Sequence, residues 1–204
     1  DGEDREYVCT IDELENEQVR AKIEDVNGVA KELPIKVTLF QALPKGDKME
    51  TVIQKMIELG AYEIVPVFTK RCIVKLDNKK AVSKTKRWNS IAESAAKQSK
   101  RGIIPKVSMP VTYKEALKMA EAMDMVLIPY ENAENMAHTR QVVSQIKTGM
   151  TVGIFIGPEG GFAEEEVEQA INTGAYDITL GKRILRTETA GMALMSVLMF
   201  ETEE

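Results

Sequence analysis

Two segments of the chain carry residues whose types and spacing could support chemistry. The first is a glycine loop at residues 157–162, with the sequence GPEGGF, between an apolar run and a helical pattern. The second, at residues 180–190, alternates apolar with charged side chains in the sequence LGKRILRTETA. In open α/β sheets, ligands bind beyond the carboxyl ends of the strands. We therefore expect both segments, together with the loop after Tyr130, to face one ligand.

The glycine loop is poorly suited to phosphate. It is neither a P-loop nor a G-x-G-x-x-G fingerprint. Pro158 has no N–H to donate, and Glu159 and residues 164–166 place carboxylates at the start of the next helix. A cofactor without phosphate or with a cationic centre, such as S-adenosylmethionine, fits these charges better. The alternative is that the loop is only a tight turn and the glutamates only cap a helix.

The second segment also has a purely structural interpretation. In it, Thr187 is the N-cap of the last helix and Arg186 forms a surface ion pair. Two such segments in one layer favour a binding site more than either does separately. The single histidine, His138, lies in a polar stretch, and we predict a surface position rather than a catalytic base.

Alternating strands and helices must position these segments from residue 35 onward. We predict strands at 37–43, 64–68, 73–76, 125–130, 151–156 and 177–180, and helices at 47–60, 83–98, 112–123, 139–147, 164–173 and 189–200. Near-continuous apolar strands alternating with helices indicate a parallel sheet that is covered on both faces. Residues 1–34 show two alternating runs and an Asn27-Gly28 turn signal. We interpret them as part of a small β domain, with a linker at 32–34, because so short a piece cannot bury a core.

Composition limits the class of protein. The 204 residues are 44% hydrophobic and 29% charged, which excludes a disordered tail or a fibre. No run of eighteen apolar residues is present, so we expect no membrane span. Two cysteines, Cys9 and Cys72, are too few for a metal cage or a disulfide framework, so we expect no metal and a cytoplasmic setting. The chain begins without Met or a signal-peptide pattern, and we expect a trimmed N-terminus.

The distribution of charge along the chain is more informative about a binding partner than the net charge. A net charge of −5 taken alone disfavours a nucleic-acid partner. Residues 70–106, however, hold twelve Lys or Arg against two acidic residues, so this stretch carries +10 and the remainder −15. Such a separation favours an anionic partner. The alternative is a solvated, lysine-rich helix face.

Both segments resemble the signature of a known enzyme family. IGPEGGF at 156–162 and LGKRILRTETA at 180–190 closely resemble the RsmE-type 16S ribosomal RNA uridine-N3 methyltransferases of the SPOUT superfamily. Further similarity lies in LPKGDKME (43–50), ELGA (58–61), RCIVKLD (71–77) and RW (87–88) leading into 91–101. The resemblance covers residues 35–200. Lys97 departs from it, because many relatives carry an acidic residue there.

The resemblance implies a fold and a reaction. The fold is α/β, a SPOUT-type parallel sheet with a C-terminal trefoil knot at residues 35–204. It follows a PUA-like β-barrel of which 1–34 are the C-terminal part. The reaction is methylation of uridine N3 in 16S rRNA by S-adenosylmethionine, performed by a cytoplasmic homodimer on the rRNA or the small ribosomal subunit. Alternatives are methylation elsewhere on RNA, such as a ribose 2′-OH, and a non-catalytic RNA-binding relative.

The resemblance also implies roles for residues. Arg186 would stabilise negative charge on the uracil, and Glu159 or Glu188 would accept the proton or balance the sulfonium. Cofactor contacts are expected from Pro129, Tyr130, Ile156, Gly157, Gly160, Gly161, Leu180, Gly181, Ile184, Leu185, Thr187 and Ala190. RNA contacts are expected from Lys45, Arg71, Arg87, Lys97, Lys100 and Arg101.

Overall fold

The computed structural model describes residues 5–28, 31–131, 133 and 135–203. Its strands are β1 (Arg5–Leu14), β2 (Val19–Gly28), β3 (Lys36–Ala42), β4 (Glu63–Phe68), β5 (Lys106–Val107), β6 (Val111–Thr112), β7 (Met125–Pro129), β8 (Thr151–Ile156) and β9 (Tyr176–Ile178). Its helices are α1 (Lys48–Glu58), α2 (Asn78–Gln98), α3 (Tyr113–Ala120), α4 (Met136–Val143), α5 (Glu164–Asn172) and α6 (Thr187–Thr202).

Strands β1 and β2 form an antiparallel hairpin. The two alternating runs are strands as predicted, but the predicted turn at Asn27-Gly28 is wrong. Both residues lie inside β2, where Asn27 pairs with Glu6. The chain reverses earlier, where the Glu15 N–H donates to the Gln18 carbonyl at 2.9 Å. Since the partner of β2 precedes it in the chain, the reversal must come before β2 begins.

The remaining strands form one seven-stranded parallel sheet. The order is β5-β4-β3-β8-β7-β9, and β6 pairs with β4. Every pair in it is parallel, which confirms the predicted α/β class. All residues of β3 after Lys36 are buried, as expected for a strand covered on both faces. The neighbours β3 and β8 place residues 41 and 156 opposite each other at their carboxyl ends.

Helices cover both faces and build a core on each. Leu39 and Ile154 pack in a cluster with residues of α1, α2 and α6. The next residues along the two strands, Phe40 and Phe155, stack at 4.4 Å and pack with α3 and α5. This alternation is that of a strand with two buried faces. Among the described residues, no helix is long and apolar enough to cross a membrane.

Local signals explain most helix boundaries. The predicted α1 stripe is buried throughout, at Met49, Val52, Ile53, Met56 and Ile57. Thr112 and Glu115 form the predicted capping box of α3.

Two predictions on the path from β4 to α2 were wrong. Helix α2 begins at Asn78, five residues before its predicted start, because the Asp77 side chain accepts a hydrogen bond from the Lys80 N–H at 2.8 Å. Residues 73–76 are not a strand. They have no partner strand among the described residues, and Val74 and Leu76 pack against the core while Ile73 is exposed.

Candidate active site

A cavity of about 1130 Å³ lies where the loops after β7, β8 and β9 meet. All twelve residues predicted to contact a cofactor lie in its lining, as do Glu159 and Arg186. Glu188 does not line it. Parallel strands carry their following loops to the same edge of the sheet, and this brings segments so far apart in sequence together.

The loop after β8 is a tightly packed turn. A Cβ on Gly157 would lie 3.1 Å from the carbonyl carbon of Gly161 and from the backbone N of Phe162. Gly161 has a φ of +66°, which favours glycine, and its N–H donates to the Pro158 carbonyl at 2.9 Å. Arg71 reaches this loop from the segment after β4, and its Nη1 donates to the Gly160 carbonyl at 2.8 Å.

The N-terminus of α5 is already occupied by the chain's own groups. The Glu166 carboxylate, 6% exposed, accepts from the Ala163 N–H at 2.9 Å and from the Lys70 N–H at 2.7 Å. The Tyr113 hydroxyl donates to the Glu166 carbonyl at 2.6 Å, and burial raises the pKa of Tyr113. Of these donors only the Ala163 N–H belongs to the start of α5, but the buried carboxylate places negative charge where a phosphate would sit. The arrangement agrees with a ligand that has no phosphate here.

Lys48 joins the two segments that the sequence singled out. Its Nζ lies 3.1 Å from Glu159 Oε1 and 3.4 Å from Glu188 Oε2. The hydrogen bond to Glu159 raises the pKa of Lys48. Burial would raise the pKa of Glu159, but hydrogen bonds from its own N–H, the Lys45 N–H and Lys48 outweigh burial and lower it. Glu159 is therefore held ionised at the cavity wall.

Glu188 has a different environment. Its Oε2 is buried and forms an ion pair with Lys48 Nζ at 3.4 Å. The side chain as a whole is 21% exposed.

The segment after β9 supplies cations to the cavity. Lys182, Arg183 and Arg186 line it with exposed side chains, and none forms an ion pair with a described residue. Arg186 is the N-cap of α6, and Thr187 is the first helical residue. The purely structural interpretation, with Thr187 as the cap and Arg186 in an ion pair, is therefore wrong. His138 lies half-buried in the first turn of α4.

The six predicted RNA-binding residues do not come together. Arg71 lines the cavity, and Lys45 donates its backbone N–H to Glu159 at 3.1 Å. The other four lie on α2 or directly after it: Arg87, Lys97, Lys100 and Arg101. Exposed ion pairs hold Arg87 to Glu50 and Lys97 to Glu93, each at 2.6 Å.

The side chain of Arg101 is buried, and its geometry argues against a direct RNA contact. It is 4% exposed and pairs with Glu32. Its Nη1 also donates to the carbonyls of Ile57, at 3.1 Å, and Ala61, at 2.7 Å. Arg101 therefore ties the end of α2 to the end of α1.

Two residues of the site were missed from the sequence. Lys48 was read only as part of α1, although it belongs to the segment that resembles the family at 43–50. Gln41 was read only as part of a buried strand, although a polar residue inside an apolar run was an available signal. Gln41 is fully buried and contacts Thr187 at 3.0 Å.

The chain is similar to known RNA methyltransferases. The model of the RNA methyltransferase domain family matches residues 31–199. The ribosomal RNA small subunit methyltransferase E of Bacillus subtilis is 37% identical over 201 residues, which cover 97% of this chain and 78% of that protein.

Two solved structures, both holding S-adenosylmethionine, are also similar. A putative methyltransferase from Legionella pneumophila has a TM-score of 0.83 and 36% identity, over 97% of this chain and 79% of that one. The ribosomal RNA small subunit methyltransferase E of Neisseria gonorrhoeae has a TM-score of 0.81 and 34% identity, over the same shares.

Proposed function

The chain belongs to the ribosomal RNA small subunit methyltransferase E family, and on this basis we propose that it methylates N3 of a uridine in 16S rRNA with S-adenosylmethionine. The observation that carries the proposal is the cavity in which three loops converge. The strand ends select these three loops from the sequence, and two of them carry the residues that resemble the family. The 16S rRNA, free or within the small subunit, is the proposed partner.

The cavity fits such a cofactor in size, polarity and charge. Its volume lies slightly above the usual range for small-molecule sites, about 300–1,000 Å³, so a molecule of this size can enter. Ile156, Leu180 and Leu185 provide an apolar wall for a flat ring. When bound, S-adenosylmethionine supplies an electrophilic methyl group on a sulfonium. The ionised carboxylate of Glu159 would balance that positive charge, and the Glu166 carboxylate at the start of α5 favours a cofactor without phosphate there.

The chain's own residues divide the remaining tasks. Uridine N3 must lose its proton to become nucleophilic. Glu159 lines the cavity and Glu188 shares its Lys48 partner, and one of these two carboxylates accepts that proton. The exposed guanidinium of Arg186 stabilises the negative charge that develops on the uracil oxygens.

The RNA backbone contacts the cations at the cavity rim in this proposal. Lys182 and Arg183 join Lys45 and Arg71 in binding phosphates. Arg87, Lys97 and Lys100, on α2 or directly after it, are proposed as separate phosphate contacts. The exposed ion pair of Lys97 contributes only about 0–1 kcal/mol, so its ammonium stays available to RNA. Arg101 is excluded because its guanidinium is engaged inside the protein.

Four finer features are proposals that rest on the family. The segment after β9 passes through a trefoil knot, and the active form is a cytoplasmic homodimer. Residues 1–34 belong to a PUA-like barrel, and 35–204 form the methyltransferase domain. The exposed apolar side chains of Ile11, Leu14 and Val19 on the hairpin support a larger β domain.

The test is methylation of small-subunit particles that lack this mark. Arg186→Ala should lower turnover by about 100-fold, the usual effect of losing one donor to a developing anion. Arg140→Ala, at an exposed position on α4, is the matched control and should retain full turnover. Undiminished turnover by Arg186→Ala would remove Arg186 from the mechanism.

Two further measurements separate the alternatives. Mass spectrometry of the product distinguishes methylation of N3 from methylation of a ribose 2′-OH. Calorimetry with S-adenosylmethionine distinguishes an enzyme from a non-catalytic relative, because a chain that binds no cofactor transfers no methyl group.

A further inference from the structure

A buried chain of hydrogen bonds links the centre of the sheet to the cavity. Gln41, 0% exposed on β3, donates from Nε2 to the Ala42 carbonyl and to Thr187 Oγ1, both at 3.0 Å. The Thr187 hydroxyl, in a residue only 6% exposed, donates to the Gly157 carbonyl at 2.6 Å. Three segments far apart in the sequence therefore meet through two side chains.

The direction of these bonds is fixed by chemistry. Rotating the Gln41 amide by half a turn would place Oε1 against the Ala42 carbonyl, and two acceptors would face each other. Nε2 must therefore face Thr187, whose oxygen accepts. A hydroxyl has one proton, and with its oxygen accepting from Gln41, that proton is directed to Gly157.

Stability alone does not explain a glutamine at this position. Gln41 Oε1 is buried and has no hydrogen-bond partner among the described residues. A buried acceptor without a partner lowers stability, whereas an apolar side chain of similar shape would remove this cost. The amide therefore supplies something that a methionine or leucine at position 41 would not.

We propose that Gln41 is a positioning residue for the cofactor site. It orients the Thr187 hydroxyl so that Gly157 and the start of α6 are held at a fixed separation. Gly157 and Thr187 line the cavity, but Gln41 does not. Gly157 is also packed against Gly161 and Phe162, so a shift of its carbonyl displaces the whole loop. The inference rests on the proposed function, because it takes S-adenosylmethionine as the ligand.

The test compares Gln41→Met and Gln41→Glu with the wild type. Gln54→Glu, at an exposed position on α1, is the matched control. The dissociation constant for S-adenosylmethionine is measured by calorimetry from pH 5.5 to 8.5, and the melting temperature of each unliganded protein is measured alongside. Gln41→Met removes the two bonds donated by Nε2 together with the partnerless Oε1, so its melting temperature should lie close to that of the wild type. It should bind the cofactor about tenfold more weakly, because misplacement of a site costs binding without unfolding the protein.

Gln41→Glu gives the result that a purely structural role would not produce. At high pH the new carboxylate has no proton to donate, so it draws the Thr187 proton away from Gly157 and binding weakens. Burial raises the pKa of such a carboxyl, so lowering the pH protonates it and restores a donor to Thr187. Affinity should therefore recover toward pH 5.5, relative to the wild type and to Gln54→Glu at the same pH.

The outcomes are distinguishable. If Gln41→Met binds as tightly as the wild type, or Gln41→Glu shows no recovery at low pH, the positioning role is overturned. If Gln41→Glu does not fold, Thr187→Val removes the same hydroxyl, and its unchanged affinity would equally overturn the role. If the wild type itself binds no S-adenosylmethionine, the proposed function fails.

Discussion

Arg101 offers the sharpest separation between a structural and an RNA-binding role. Its guanidinium pairs with Glu32 and donates to two carbonyls of the α1 C-terminal region. The substitution Arg101→Met keeps the length and apolar volume of the side chain but removes every one of these donors. The prediction is a large loss of stability with no direct loss of RNA affinity.

The size of the expected stability loss follows from the burial of the Arg101 ion pair. Breaking a buried ion pair by removing one partner costs about 3–5 kcal/mol. The Glu32 side chain is 19% exposed, so water recovers part of the loss. The lost hydrogen bonds to the carbonyls of Ile57 and Ala61 fall within that range, because they belong to the same buried guanidinium. We expect a total of about 3 kcal/mol, which lowers the melting temperature of a chain of this size by about 6–12 °C.

The assay is urea unfolding, with Arg87→Met as the control. The side chain of Arg87, which pairs with Glu50, is 65% exposed. Loss of this ion pair should therefore lower the free energy of unfolding by only about 0–1 kcal/mol. RNA binding is then measured at a temperature at which both variants are folded. If Arg101→Met costs less than about 1 kcal/mol, or weakens RNA binding as strongly as Arg87→Met, the structural role assigned to Arg101 is refuted.

Three other predictions concern the cavity. The pKa of Glu159 is lowered from 4.5 in the folded chain, so its contribution to stability is present above that pH and lost as the pH falls. Glu159→Gln should therefore flatten the loss of unfolding free energy in acid, and a curve parallel to that of the wild type would contradict this. Gly157→Ala should weaken cofactor binding about tenfold or more, because the new Cβ would lie 3.1 Å from backbone atoms. The control Gly160→Ala should bind the cofactor normally, because its Cβ would lie 3.6 Å from its nearest neighbour. Equal losses of affinity in the two variants would contradict this prediction. Replacing Lys182 and Arg183 together by Ala should reduce the salt dependence of RNA binding by about 2 in log-log slope, and an unchanged slope would mean that neither contacts phosphate.

Regular patterns made much of the fold predictable. The α1 stripe predicted its buried face because helical spacing places such residues on one side, as at Met49 and Met56. The same logic failed at residues 73–76. Their alternation is that of a strand, but a strand needs a neighbour to pair with, and pairing is a long-range property that a local pattern does not contain.

The sequence predicts where the site lies, but not which side chains contact one another within it. The loop composition and the strand ends located Gly157 and Arg186 at one edge of the sheet. The link between Lys48 and Glu159 joins positions 111 residues apart, and no spacing rule relates them. Charge counts grouped Arg101 with Lys97 because both are basic and close in sequence. Burial separates them, since one side chain is 4% exposed and the other 71%.

The hydrogen bond between Gln41 and Thr187 spans 146 residues of sequence, and this has a consequence for how the protein folds. The central strand β3 emerges early in synthesis, but its neighbour β8 and the helix that carries Thr187 are made more than a hundred residues later. Contacts with so large a separation form slowly, because the intervening chain must be ordered first. The cofactor site is thus completed only when α6 docks. A nascent chain that lacks α6 exposes the apolar residues that α6 covers on one face of the sheet, and such surfaces are prone to aggregation until folding is complete.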